Sequence, residues 1–218
     1  MKIIAFIFAL LLPAFAFAGV FEDMEEAMIR GDANAAINLI DRGVDVNTVD
    51  SAGNTLLIQS VRRDIPELFD HLVRRRARLN IRNRNGETAL SIAAYTGKLG
   101  YVQRLVDAGA EIDFFGWAPL IYAAYNGHAD IADYLLKHGA KVDAKTENGS
   151  TALFFAARFG HIEVIKLLLN NDSDPTIANE NGDTAVDWAM KNENSNIESL
   201  LREAGGSSGK SVSIELSK

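Results

Sequence analysis

The sequence predicts an all-α fold, a solenoid of about six helix-turn-helix units with short hairpin fingers, and three observations carry that prediction. The triplets Thr55-Leu56-Leu57, Thr88-Ala89-Leu90, Ala118-Pro119-Leu120, Thr151-Ala152-Leu153 and Thr184-Ala185-Val186 recur at steps of 33, 30, 33 and 33 residues. A second series, Gly43, Arg76, Gly109, Gly139 and Asp172, steps by 33, 33, 30 and 33, so two independent markers agree, including on the short step. An apolar stripe at i, i+1, i+4 and i+5 recurs as Leu68, Phe69, Leu72, Val73, as Tyr101, Val102, Leu105, Val106, as Ile131, Ala132, Leu135, Leu136 and as Val164, Ile165, Leu168, Leu169. That spacing places four apolar side chains on one side of a helix. A fixed period of this length marks units that bury their cores by stacking.

Taken in chain order, the first eighteen residues stand apart. Lys2 is followed by an apolar run from Ile3 to Leu12, then Pro13, then the small-x-small triplet Ala16-Phe17-Ala18. This is the pattern of a signal peptide, and the expected mature chain begins at Gly19 and is exported. The run is too short to span a bilayer, which takes roughly 20 apolar residues, and no transmembrane segment is expected in the mature chain.

The unit from Asn148 to Pro175 makes the repeat physics readable. Asn148-Gly149 is a turn signal. Thr151 then opens a short helix as an N-cap, its side chain able to accept from an amide of the first turn. Leu153, Ala156 and Ala157 face inward, and the small residues let neighbouring helices approach closely. Gly160-His161 breaks that helix, and the Val164 to Leu169 stripe forms a second one. Met24 to Asn47 reads as a first, degenerate unit and Asn181 to Glu203 as the last. Their outer faces carry Glu22, Asp23, Glu25 and Glu26 at one end and Glu193, Asn194, Asn196 and Glu198 at the other, as caps facing water should.

With Ala118-Pro119-Leu120-Ile121-Tyr122-Ala123-Ala124, Gly127-His128 and Gly139-Ala140-Lys141-Val142-Asp143 in view, the units resemble ankyrin repeats over about Val20 to Gly205. The expected organisation is a signal peptide at 1–18, an ankyrin-repeat domain at 19–205 and a disordered tail at 206–218. Within the domain the units run approximately 19–49, 50–82, 83–113, 114–145, 146–178 and 179–205. The resemblance implies that finger tips and first helices line a concave, partner-binding face. It also resembles, in whole-chain organisation, small exported ankyrin proteins of Gram-negative bacteria. Some of these accompany catalases in oxidative defence, and others are immunity proteins against secreted toxins. A periplasmic protein is therefore expected, with a secreted protein or effector as the alternative.

Composition narrows the chemistry. Lys plus Arg number 22 against 29 Asp plus Glu, for a net charge of −7, which disfavours nucleic acid as a partner. Cysteine is absent, and with it go disulfides, thiolate metal sites and thiol nucleophiles. Gly205-Gly206-Ser207-Ser208-Gly209 and Gly209-Lys210-Ser211 mimic a hydrolase elbow and a phosphate loop, yet a helix ends before them and no strand leads in. His128 and His161 at the Gly-His turns are expected to bridge neighbouring turns by hydrogen bonds. His71 and His138 lie on second helices. Asp45, Asp113 and Asp143 at the hairpin starts read as turn chemistry. No catalytic residues, metal ligands or cofactors are expected, and the reading is a monomeric, non-enzymatic module for a protein partner.

Two departures from the repeat place the candidate site. The short step removes three residues between Asp113 and Ala118, leaving a truncated finger that carries Phe114, Phe115, Gly116 and Trp117. Tyr95, Tyr125 and Phe159 fall at the ends of the first helices near it. Aromatic anchors of this kind make a binding hot spot, while the competing reading has Phe114 and Trp117 folding back to plug the gap. The second departure is basic: Arg62, Arg63, Arg74, Arg75, Arg76, Arg78, Arg82 and Arg84 crowd into one unit. They either fork onto an acidic partner, lipid or glycan, or pair with Asp64, Glu67 and Asp70. The partner-binding residues expected are Tyr95, Phe115, Trp117, Tyr125, Arg158 and Phe159, flanked by Arg62, Arg63 and Arg84.

Overall fold

A computed structural model describes residues 19–209. The expected signal peptide lies outside the described residues. Among the described residues twelve helices form six successive pairs: α1 (residues 19–30) with α2 (Ala33–Asp41), α3 (Leu56–Arg63) with α4 (Pro66–Arg74), α5 (Ala89–Tyr95) with α6 (Leu99–Asp107), α7 (Pro119–Asn126) with α8 (Ala129–Lys137), α9 (Ala152–Phe159) with α10 (Ile162–Asn170), and α11 (Ala185–Lys191) with α12 (Ser195–Glu203). Among the described residues the only strand-like pairing is an isolated bridge between Val49 and Thr55. The chain divides into two compact units, one ending at Arg78 and the other beginning at Leu79.

The first unit holds α1 to α4. Its core is made by Met24, Ala27 and Met28 of α1, Leu39 and Ile40 of α2, Leu56, Leu57 and Val61 of α3, and Leu68, Phe69 and Leu72 of α4. Asp32 caps α2 by accepting from the Ala35 amide at 2.9 Å, and Thr55 caps α3 by accepting from Ile58 at 3.1 Å. Glu22, Asp23, Glu25 and Glu26 are exposed on the outer side of α1. Asp41 gathers His71 at 3.2 Å and Arg75 at 2.6 Å. Arg75, at least, is thus spent on its own fold.

The second unit holds α5 to α12. First helices pack in the row α5, α7, α9, α11, and second helices pack in the row α6, α8, α10. Ala93, Ala94, Ala123, Ala124, Ala156, Ala157 and Ala189 are all buried between the first helices, as the small inward face requires. The second-helix stripes supply bulk: Val102, Leu105, Ile131, Leu135, Val164, Ile165 and Leu168 are completely buried. Burying one such side chain stabilises by about 2 kcal/mol. Thr88, Thr151 and Thr184 cap their helices, Thr151 by accepting from the Phe154 amide at 3.3 Å. Ala118 stands where the fourth threonine would be and gives no side-chain cap; Pro119 at the first helical position preorganises that turn instead.

Hairpin starts are tied from one pair to the next. Asp113 accepts from the Lys141 amide at 3.0 Å, Asp143 accepts from the Asp174 amide at 3.1 Å and from the Ser173 hydroxyl at 2.7 Å, and Asn80 accepts from Glu111 at 3.0 Å. These side-chain oxygens therefore do more than local turn chemistry: each ties its hairpin start to the next finger. Asp45 keeps the local role, accepting from the Asn47 amide at 2.9 Å.

The segment expected as a disordered tail begins differently. Gly206 and Ser208 are buried; Thr184 donates its hydroxyl to the Ser207 carbonyl at 2.8 Å, and Asp187 takes the Ser208 hydroxyl and the Gly209 amide, the latter at 2.9 Å. Residues 207–209 are thus held by the capping groups of α11, Thr184 and Asp187. Residues 210–218 lie outside the described residues.

Candidate functional site

The site grows out of the repeat register. Positions four and seven residues past each threonine marker lie on one side of the first helix. In α7 they are Tyr122 and Tyr125, in α9 Phe155 and Arg158, and in α11 Trp188 and Lys191; Tyr95 is the later position in α5. Side by side, they build an aromatic ladder. Tyr95 meets Tyr122 edge-on at 5.8 Å between centroids and Tyr125 at 6.3 Å; Tyr125 meets Phe155 at 5.8 Å and Phe159 at 4.4 Å; Phe154 meets Trp188 edge-on at 5.9 Å.

The truncated finger feeds into this ladder. Trp117 is half-buried, with its ring 4.8 Å from Phe155, 5.2 Å from Tyr122 and 5.9 Å from Tyr125. Phe114 is covered by the Arg82 guanidinium, 4.0 Å above its ring. Phe115, between them, is 77% exposed. Gly116 adopts φ +100°, and a Cβ there would collide with the Glu147 carboxylate. Only glycine, free in the left-handed region and without a side chain, turns this short finger.

Exposed apolar area marks the ladder's rim, with Tyr95 43% and Phe159 41% exposed. At the α11 end, the Arg158 guanidinium lies 4.3 Å above Trp188 and 5.4 Å from Phe159, while the Lys191 ammonium also lies 4.3 Å above Trp188. Arg158 is therefore stacked on the site's own rings. Near the finger, burial pushes the Tyr122 hydroxyl up to about 12, with the charges of Glu87 and Glu147 adding to the shift. It stays protonated and available as a donor at any physiological pH.

Two histidines hold the ladder's helix ends. The His128 ring nitrogen sits 3.2 Å from the Tyr95 carbonyl and that of His161 3.0 Å from the Tyr125 carbonyl. Asn126 donates to the same Tyr95 carbonyl at 2.6 Å, and Asn192 donates to that of Arg158 at 2.5 Å. Residues at the end of one first helix and in the turn after it thereby hold the last carbonyls of the preceding first helix, those of Tyr95, Tyr125 and Arg158. Among the described residues no group of three or more His, Asp or Glu is arranged to hold a metal ion.

The sequence-predicted residues are thus divided. Tyr95, Trp117, Tyr125, Arg158 and Phe159 come together in the second unit, with Phe115 exposed on the adjoining finger and Arg84 exposed on another. Arg62 and Arg63 are exposed at the end of α3 in the first unit. The eight arginines accordingly belong to two units. Tyr122, Phe155 and Trp188 were missed by the sequence reading. Their signal was the position four residues past the marker, and it was masked because the same position is Gln59 in α3 and Ile92 in α5.

Comparison with known families agrees with this construction. A family model described as ankyrin repeats, three copies, matches residues 24–115, 57–146 and 141–211. The chain belongs to the ankyrin-repeat family. An ankyrin array is a protein-interaction module. The array is 42% identical over 78 residues, 34% of its length, to mouse ankyrin repeat and SAM domain-containing protein 6, of which it covers 9%. It is 35% identical over 125 residues, 56% of its length, to the neurogenic locus notch homolog protein 1 of Xenopus laevis, covering 5% of that protein. It is 33% identical over 123 residues, 53% of its length, to the mouse B-cell lymphoma 3 protein homolog, covering 28%. The array spans less than a third of the length of each of these relatives. No helix among the described residues is long and apolar enough to cross a membrane.

Proposed function

We propose that the chain is an exported, non-enzymatic binding module of the bacterial envelope that holds a folded protein on the first-helix face of α5, α7, α9 and α11. The periplasm is the proposed compartment, and a stress-defence enzyme such as a catalase is the proposed kind of partner. The aromatic ladder carries the reading. Rings from three successive first helices and the truncated finger form one continuous, half-exposed surface, and partly exposed aromatics grouped in this way are the usual anchors of protein interfaces. Export is supported by the Lys2, Ile3 to Leu12 and Ala16-Phe17-Ala18 pattern and by the absence of cysteine, which leaves the fold indifferent to an oxidising compartment.

The test is capture from the native envelope fraction by the immobilised chain from Gly19 onward, beside a variant carrying Tyr95→Ser, Phe115→Ser and Phe159→Ser. All three side chains are exposed, so the variant should melt within about 5 °C of the parent. One protein retained by the parent and lost from the folded variant is the expected result. Equal retention by both removes the ladder as the binding surface. The identity of the captured protein separates an enzyme partner from a secreted toxin neutralised by an immunity protein.

A further inference from the structure

The ladder has two electrostatic ends. At the α11 end the rings already carry cations, since Arg158 and Lys191 both stack on Trp188. At the truncated finger Arg82 covers Phe114, but the rings that Trp117 packs against carry none. Tyr95, Trp117, Tyr122 and Tyr125 lie 5.2 to 6.3 Å apart ring to ring. Among the described residues, the cation stacks of this unit fall on Phe114, Tyr101, Phe159 and Trp188, and not on those four. What faces them instead is negative: Glu87 and Glu147 both act on the Tyr122 hydroxyl, and the Glu147 carboxylate rests against Gly116 beside Trp117.

Aromatic faces are the negative side of the ring quadrupole, and two carboxylates at the rim add charge of the same sign. An acidic side chain would be repelled from such a patch. An apolar side chain would strip water from the exposed Glu147 carboxylate without giving it a partner. A lysine or arginine satisfies both demands, laying its cation over the rings and its donors toward the carboxylates. We propose that the four rings and two glutamates form the seat for a lysine or arginine side chain of the protein partner. This rests on the reading of the ladder as the binding face, and it adds the chemistry of the anchor.

The probes are four blocked tripeptides, acetyl-Gly-X-Gly-amide with X arginine, lysine, glutamate or norleucine, titrated into the full chain while its aromatic proton resonances are followed. The chain's two tryptophans give an internal control, because Trp188 is already stacked by its own cations. Saturable shifts at Trp117 and Tyr122 with the arginine and lysine peptides, little change at Trp188 and none with the glutamate peptide are expected. In Glu87→Gln with Glu147→Gln the arginine peptide should bind about tenfold more weakly. Glutamine retains the acceptor that Glu87 offers the Asn83 amide at 2.7 Å, and Glu147 is exposed, so the double variant keeps the fold. Equal shifts from norleucine and arginine, or unchanged affinity in the double variant, overturn the cationic anchor. Either result leaves the ladder as a binding face, which the envelope capture decides separately.

Discussion

Arg76 and Asp172 occupy the place where Gly109 and Gly139 end the equivalent second helices, and the backbone does not change to suit them: φ is +58° at Arg76 and +62° at Asp172, in the left-handed region. A side chain there costs roughly 1 kcal/mol relative to glycine. Replacing either by glycine should raise stability by about 0.5–1 kcal/mol, read as a higher urea midpoint with an unchanged slope. The Gly-His turns give a sharper contrast. A Cβ on Gly127 would stand 2.5 Å from the His161 ring, whereas one on Gly160 would have nothing nearer than Asn194 at 3.8 Å. Both residues have positive φ, so both substitutions are strained, yet only Gly127→Ala also displaces the histidine that holds Tyr125. Gly127→Ala should therefore cost about 2–3 kcal/mol and Gly160→Ala about 1 kcal/mol; equal losses in thermal unfolding would remove the histidine from the account. At this scale the sequence was informative wherever a residue type has one local job, as with the capping threonines and bridging histidines. Trp117 was legible as unusual, but its packing on Tyr122 and Phe155 depends on side chains whose importance emerges only when helices are laid side by side.

At the scale of elements, the fingers and helix pairs followed from the period, because each repeat presents the same stripe and the same turn. The end of the array did not, since a Gly/Ser-rich composition describes the loose chain and not the groups waiting for it. Asp187 is the group in question. Burial raises its pKa, but the hydrogen bonds from Ser208, Thr184 and Gly209 outweigh that and hold the carboxyl below the usual 3.8. A depressed native pKa means that the ionised clasp stabilises the fold above about pH 4 and that this contribution is lost as pH falls through the lower, native value. Asp187→Asn should accordingly be less stable than the parent at neutral pH, and the gap should close in acid. The same variant should expose residues 206–209 to proteolysis first. A stability gap independent of pH would show that the carboxylate charge is not what holds the segment.

For the whole molecule, both compact units are built from the same kind of helix pair, but their surfaces differ in chemistry: the first presents exposed arginines at the end of α3, the second an aromatic ladder rimmed by charge of both signs. A repeat array separates stability from recognition, because second helices and alanine-lined contacts hold the stack while the outward positions of the first helices are free to vary. That separation explains why the architecture was readable from sequence and the partner was not. The short step that truncates one finger is the point where the two meet, since it brings Trp117 into the ladder and leaves Phe115 exposed. Hydrogen exchange on the chain bound to its captured partner tests this most directly. Slowed exchange on binding is predicted for residues 92–95, 115–126, 154–159 and 188–191, with α6, α8 and α10 unchanged; slowing confined to those second helices, or to the first unit, would contradict the aromatic ladder as the binding face.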